Sequence, residues 1–133
     1  MTNHYHAVVW IDHHQARVFH FDIADVDQRV LHPHDPPHQL HHKANSIGSG
    51  HASEDHGYLQ HVSDAIADAG AVLILGPANA KTELVKHIAH HMPLLKVKIA
   101  GVETVDHLTD GEIVAHARNY FKADHQLPPR SRA

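Results

Sequence analysis

The first apolar block of the chain, Ala7-Val8-Val9-Trp10-Ile11, is continuous rather than alternating, which predicts a strand covered on both faces. A short polar turn, His13-His14-Gln15, follows it. Ala16 to Phe21 then alternates, with Arg17, Phe19 and Phe21 on one face and Val18 and His20 on the other. Val26 to His32 predicts a third strand of an antiparallel meander. Pro33, Pro36 and Pro37 end it, because proline cannot donate to a ladder.

The back half changes period. Ser53 is placed to cap a helix, with Glu54 and Asp55 near its positive end, and Leu59, Val62, Ile66 and Ala69 recur at helical spacing up to a stop at Gly70. Ala71 to Leu75 predicts a buried strand. Gly76-Pro77 turns into a second helix striped by Leu84, Val85, Ile88 and Met92 and closed by Pro93. Lys96 to Val102 predicts an edge strand protected by Lys96 and Lys98. Thr109-Asp110-Gly111-Glu112 has the form of a capping box, opening a last helix with Ile113, Ala117, Tyr120 and Phe121 on its inner face.

The order β-β-β-α-β-α-β-α predicts an α/β fold. The front strands pair as hairpins, while strands separated by helices pair in parallel through right-handed crossovers. The result is a mixed five-stranded sheet with helices on both faces, strand one beside Ala71 to Leu75, and Val9, Ile11, Val72, Ile74 and Val97 in the core. At 133 residues the chain reads as one domain over 1–123, with a loop inserted at 33–57 and a flexible tail at 124–133. Cysteine is absent, which removes disulfides, thiolate metal sites and thiol catalysis. The longest apolar run is strand-sized and Met1-Thr2-Asn3-His4 does not read as a signal peptide, so a cytoplasmic location is expected.

Two of these segments carry a resemblance. Val8 to Phe19, a strand ending in Asp12 followed by a polar turn and Ala16-Arg17-Val18, looks like the first hairpin of the central domain of class 1 archaeal and eukaryotic peptide release factors, a domain shared by Pelota. Leu75-Gly76-Pro77, with Lys81 and Glu83 in the helix after it, resembles that family's Gly-Pro turn. The similarity runs from about Tyr5 to Phe121, and extends to small bacterial proteins described as translational machinery components of this fold. It implies a ribonuclease-H-like fold and a role at the ribosome or on ribosomal RNA. In release factors the long loop carries a Gly-Gly-Gln tip. Here Gly48-Ser49-Gly50-His51 stands near that place without the glutamine, and the stop-codon and GTPase-contacting domains are absent, so peptide release is not implied.

The loop is also the chemically distinctive segment. Its glycines permit close backbone approach at Gly48 and Gly50, and Lys43, Asn45, Ser46, Ser49 and His51 can meet phosphate or 2′-hydroxyl groups. The bland reading is a solvated loop without a partner. The net charge of −4 and the scatter of 11 Lys and Arg make any nucleic-acid contact local. Histidine is the compositional outlier at 19 residues, and an ordinary imidazole titrates near pH 6.5. The alternative function is therefore a histidine-rich metal-binding or pH-responsive protein, with His38, His41, His42, His51 and His56 as ligand candidates for zinc or nickel and His34 beside them. His87 and His91 share a helix face at i, i+4. No cofactor is required by either reading.

No catalytic residues are assigned. A ribonuclease-H-type nuclease gathers several carboxylates around two metal ions. Asp12 is suitably placed, but Gly76-Pro77-Ala78-Asn79 supplies no acid after strand four. There is no HExxH motif, no Gly-x-Ser-x-Gly and no Walker loop. The chain is expected not to be an enzyme.

Overall fold

A computed structural model describes residues 5–33 and 50–126, with side chains placed for 5–33 and 57–122. The strands are β1 (His6–Ile11), β2 (Ala16–Phe21), β3 (Val26–Leu31), β4 (Ala71–Gly76) and β5 (Ile99–Thr104). The helices are α1 (Gly50–Ile66), α2 (Ala80–His91), α3 (Pro93–Lys96) and α4 (Asp110–Gln126). The sheet order is β3-β2-β1-β4-β5, with β1 antiparallel to β2 and parallel to β4. This is the mixed α/β sheet that the change of period implies, with the first apolar block at its centre.

β1 is apolar throughout because both of its faces are covered. Ala7, Val9 and Ile11 join Val18, Val62, Ile66, Val72, Ile74, Leu84 and Ile88 in a layer against α1 and α2. Val8 and Trp10 join Phe19, Phe21, Leu73, Leu75, Ile113, Ala117 and Phe121 in a layer against α4. The two hairpins are closed by one device used twice. Asp12 Oδ1 accepts from the backbone N–H of His14 and Gln15, and Asp22 Oδ1 accepts from those of Ala24 and Asp25. Aspartate at the first turn position suits this bonding. The capping box at α4 is present in full: Thr109 N–H donates to Glu112 Oε1 at 2.8 Å, and Glu112 N–H to Thr109 Oγ1 at 3.1 Å.

Several expectations are corrected. Lys96 ends the short helix α3 and β5 begins only at Ile99, so Lys96 does not guard the edge. Pro93 opens that turn at a position where its fixed φ suits a helix start. As a consequence Leu95 takes the buried place and Val97, expected in the core, is 79% exposed. Gly70 does not terminate a helix, since α1 ends at Ile66; a Cβ there would lie 2.1 Å from the Tyr5 ring. Finally, α1 starts at Gly50 rather than at Ser53, so Gly50 and His51 occupy its first turn. Once a helix is nucleated each added residue contributes a hydrogen bond, and only Gly57 interrupts good helix chemistry in that stretch. α4 likewise runs on through Asp124, His125 and Gln126, three positions assigned to the tail.

Replacing Ile74 by Ala should cost about 2–5 kcal/mol in urea unfolding, whereas Val97→Ala should stay within about 0.5 kcal/mol. Gly76→Ala should cost about 1–3 kcal/mol, because the new Cβ would stand 2.3 Å from the backbone oxygen of Ile11, which cannot turn aside.

Candidate functional site

The carboxyl end of the parallel strands is where open α/β sheets present their binding crevice. In this chain the ends of β1, β4 and β5 meet there with the start of β2 and the end of β3, since Ile11 pairs with Ala16 and Ala16 with Leu31. The segment between β3 and α1 leaves from this end. α1 also returns to it: the Tyr58 hydroxyl, on the exit side of that segment, donates to the Asp12 carbonyl at 2.9 Å. The elements on either side of the insert, β3 and α1, therefore both reach the end of the sheet where β1 turns into β2.

Asp12 is the chemical centre of this end. Its side chain is mostly shielded, one oxygen is held by the two turn N–H groups, and the second lies 3.6 Å from Nε2 of His107. Burial alone would raise its pKa. The bonds from His14 and Gln15, reinforced by the charges of His14 and His107, outweigh it and hold the carboxyl below its usual range. Burial, with the Asp12 charge added, pushes the Tyr58 phenol far above its ordinary value, so it serves as a fixed neutral donor. His107 lies between Asp12 and Asp106 and packs on the Trp10 ring with centroids 5.0 Å apart. The Trp10 indole N–H in turn donates to the Asp106 carbonyl at 3.0 Å, which ties the β5–α4 connection to β1. Arg17 stacks over the other side of the system, 4.7 Å from the Trp10 ring, and pairs with Asp110 at 2.9 Å.

Across the crevice, the turn after β4 brings Lys81 into the first turn of α2, where its ammonium is buried and donates to the Ala78 carbonyl at 2.6 Å. The side chain of Asn79, at the helix start, makes no capping bond. The rim carries exposed imidazoles at His13, His14, His32 and His107. Among the described residues no group of three or more His, Asp, Glu or Cys is placed to hold a metal ion, and Asp12 has no second carboxylate from β4 beside it. What this end offers is a set of hydrogen-bond donors and titratable rings on a rigid base.

Of the loop residues singled out in the sequence, Lys43, Asn45, Ser46, Gly48 and Ser49 lie outside the described residues, as do His34, His38, His41 and His42. Gly50 and His51 are helical. His51 and His56 stand five positions apart on α1, a spacing that does not place two residues on one helix face. His87 and His91 do meet, with ring centroids 4.5 Å apart, but His87 is buried between α1 and α2 and bonds Gln60 at 2.8 Å. Sequence reasoning missed His107, Tyr58 and Trp10 as parts of the same end. The signal was present in part: a tryptophan inside a buried strand needs an acceptor for its N–H.

Asp12 gives a pH test. Its folded pKa is depressed, so its contribution to stability is present above the unfolded value near 3.9 and is lost as pH falls through the folded value. Asp12→Asn should therefore be less stable than the parent by a constant margin between about pH 5 and 7, and the margin should close below about pH 4. Urea titrations of the two proteins across that range measure it; a margin that does not change with pH would show that the charge is not what stabilises the turn.

No protein-family model matches the sequence, and no curated protein does. Solved structures do match the fold. Pelota from Archaeoglobus fulgidus aligns with a TM-score of 0.60 at 10% identity, over 86% of this chain and 30% of that one. Pelota from Thermoplasma acidophilum gives 0.59 at 15% identity, over 90% of this chain and 33% of the other. The archaeal translation termination factor aRF1 gives 0.51 at 13% identity, over 90% and 39%. The chain spans about a third of the length of these proteins. At such identities the likeness is one of fold, and the fold is the ribonuclease-H-like α/β architecture.

Proposed function

We propose that this chain is a translation-associated protein that contacts the ribosome or its RNA through the insert between β3 and α1, without peptide-release activity. The observation that carries this reading is the anchoring of the insert. The strand leading into it is held at Leu31 by Ala16, and the helix following it is held at Tyr58 by the Asp12 carbonyl, at the crevice end of a fold shared with Pelota and an archaeal translation termination factor. Loops that bind partners are typically positioned by a rigid scaffold. The insert supplies Lys43, Asn45, Ser46 and Ser49 for phosphate and sugar oxygens, and glycines that let the backbone come close. His13, His14 and His107 add protonatable donors at its base. Gly48-Ser49-Gly50-His51 offers no side-chain amide of the kind a Gly-Gly-Gln tip presents, so catalysis of peptidyl-tRNA hydrolysis forms no part of the reading.

Co-sedimentation with ribosomes at several salt concentrations tests it. The full chain should pellet with resting or stalled ribosomes, and the bound fraction should fall as salt rises, as phosphate contacts do. Deleting residues 44–49 together with Lys43→Ala should abolish pelleting while changing stability by no more than about 0.5 kcal/mol, as surface changes usually do. Failure of the intact chain to pellet at any salt overturns the proposal. A melting temperature that rises with zinc in the parent but not in a His38, His41 and His42 triple alanine variant would favour the metal-binding alternative instead.

A further inference from the structure

β3 is an edge strand, and all of its residues but Leu31 are exposed on both faces. The Asp22 N–H donates to the Asp25 carbonyl, which makes that pair a hydrogen-bonded one. Such pairs alternate along an antiparallel ladder, so Asp27, Arg29 and Leu31 bond inward to His20, Val18 and Ala16. The N–H and C=O groups of Val26, Gln28 and Val30 therefore point away from β2, where no other described strand lies. Among the described residues this is an open edge, long enough to accept another strand.

The sequence of that edge is self-complementary. In Val26-Asp27-Gln28-Arg29-Val30, a two-fold axis through Gln28 sets Asp27 of one copy opposite Arg29 of the other, twice, and Val26 opposite Val30, twice. The backbone alternation places the groups correctly. Val26–Val30 and Gln28–Gln28 fall at hydrogen-bonded positions. Asp27–Arg29 falls at the non-bonded positions, where strands are closest, at about 4.5 Å between Cα atoms, and cross-strand charges meet best. Val26 and Val30 are 36% and 40% exposed, and both point to the α4 side, as their partners Phe21 and Arg17 do. There Val26 and Gln28 already wall an open groove against Val114 and Arg118, so a second copy would extend that apolar layer. The other edge has no such property: β5 carries Glu103 but no basic residue to oppose it.

The geometry points to β3 as the seam of a homodimer, in which two copies pair antiparallel about Gln28 and join their sheets into one. A strand guarded against pairing carries like charges or lysines, which repel a copy of themselves; this strand carries one charge of each sign at the mirror positions. The occupant that fits is a second copy of this chain.

A charge-swap series on the full chain tests it. Sedimentation velocity over about a hundredfold range of concentration should show a monomer–dimer equilibrium for the parent. Asp27→Arg sets Arg against Arg at both pairs, and Arg29→Asp sets Asp against Asp. Each single variant should dissociate at least about tenfold more readily than the parent. Mixed in equal amounts, the two should form a heterodimer, because every pair is then opposite in sign, and the double variant carrying both changes should dimerise again. That rescue cannot arise from misfolded chains. As an independent readout, Gln28→Cys introduces the protein's sole cysteine at the two-fold axis. At a bonded pair the Cα separation of about 5.5 Å lies within disulfide range, so it should cross-link on oxidation well ahead of Lys86→Cys on the exposed side of α2. A parent that stays monomeric at every concentration, single variants that dimerise as tightly as the parent, or equal cross-linking of the two cysteine variants would each overturn the dimer.

Discussion

Everything in this molecule hangs on the burial of β1 from both sides. Its five residues Ala7 to Ile11 are fully buried, alternating between the α1/α2 layer and the α4 layer, and its two edges pair antiparallel with β2 and parallel with β4. It is the one strand paired to strands from both halves of the chain. The front hairpins cannot pack without it, because β3 is exposed and β2 is covered only through contacts made alongside β1. The helical half cannot close without it either, since β4 needs a neighbour on the side away from β5. Burying each of these aliphatic side chains is worth about 1.5–3 kcal/mol before the ordering cost is subtracted. The direction of the chain leaving β1 then fixes where chemistry can gather. Asp12 is the first polar residue after the buried run, and its turn, its carbonyl and its free carboxylate oxygen organise Gln15, Tyr58 and His107 around the same point.

The parts of the fold that were legible in the sequence are those dictated by local pattern. A five-residue apolar run reads as a two-sided strand, the Thr109–Glu112 pair reads as a capping box, and Leu84 and Ile88 read as one helical face; all three follow from periods of two and 3.6. What could not be read depends on what lies across the fold. Val97 alternates with two lysines as an edge strand should, yet Pro93 and the tight turn after it shift the strand by three residues and hand the core position to Leu95. Gly70 looks like a helix stop, but the demand on it comes from the Tyr5 ring. Gly76 looks like a turn residue, and its real constraint is the Ile11 carbonyl. Tertiary neighbours impose these requirements, and no window along the chain contains them.

The same distinction governs the candidate site. Asp12 was visible because its place at the end of a strand is a sequence property. His107 was not, because it reaches Asp12 from 95 positions away by way of the Trp10 N–H bond to Asp106. The dense histidines drew attention to 34–56, where abundance is a property of composition; among the described residues, imidazoles also make contacts well outside that segment. His116 bonds Glu103 at 2.6 Å across α4 and β5, and His87 bonds Gln60 between helices. In these two cases the ring is a structural connector between elements. Spacing along a chain locates ligand sets only where the intervening backbone is regular.

The core layers also explain why an insert of this kind is tolerated. Among the described residues every fully buried apolar side chain lies between Ala7 and Phe21 or beyond Tyr58, so both core layers draw on segments from either side of the insert. The strand before it is held by the Ala16–Leu31 pairing, and the helix after it by the Tyr58 bond to Asp12. Once the ends of a loop are fixed in this way, the entropy of closing it grows only with the logarithm of its length, about 0.6 kcal/mol for each doubling. The core therefore places little demand on either the length or the composition between the anchors. The Asp12 turn then holds β1, β2 and α1 together at one end of the sheet, through the Gln15 N–H and the Tyr58 hydroxyl.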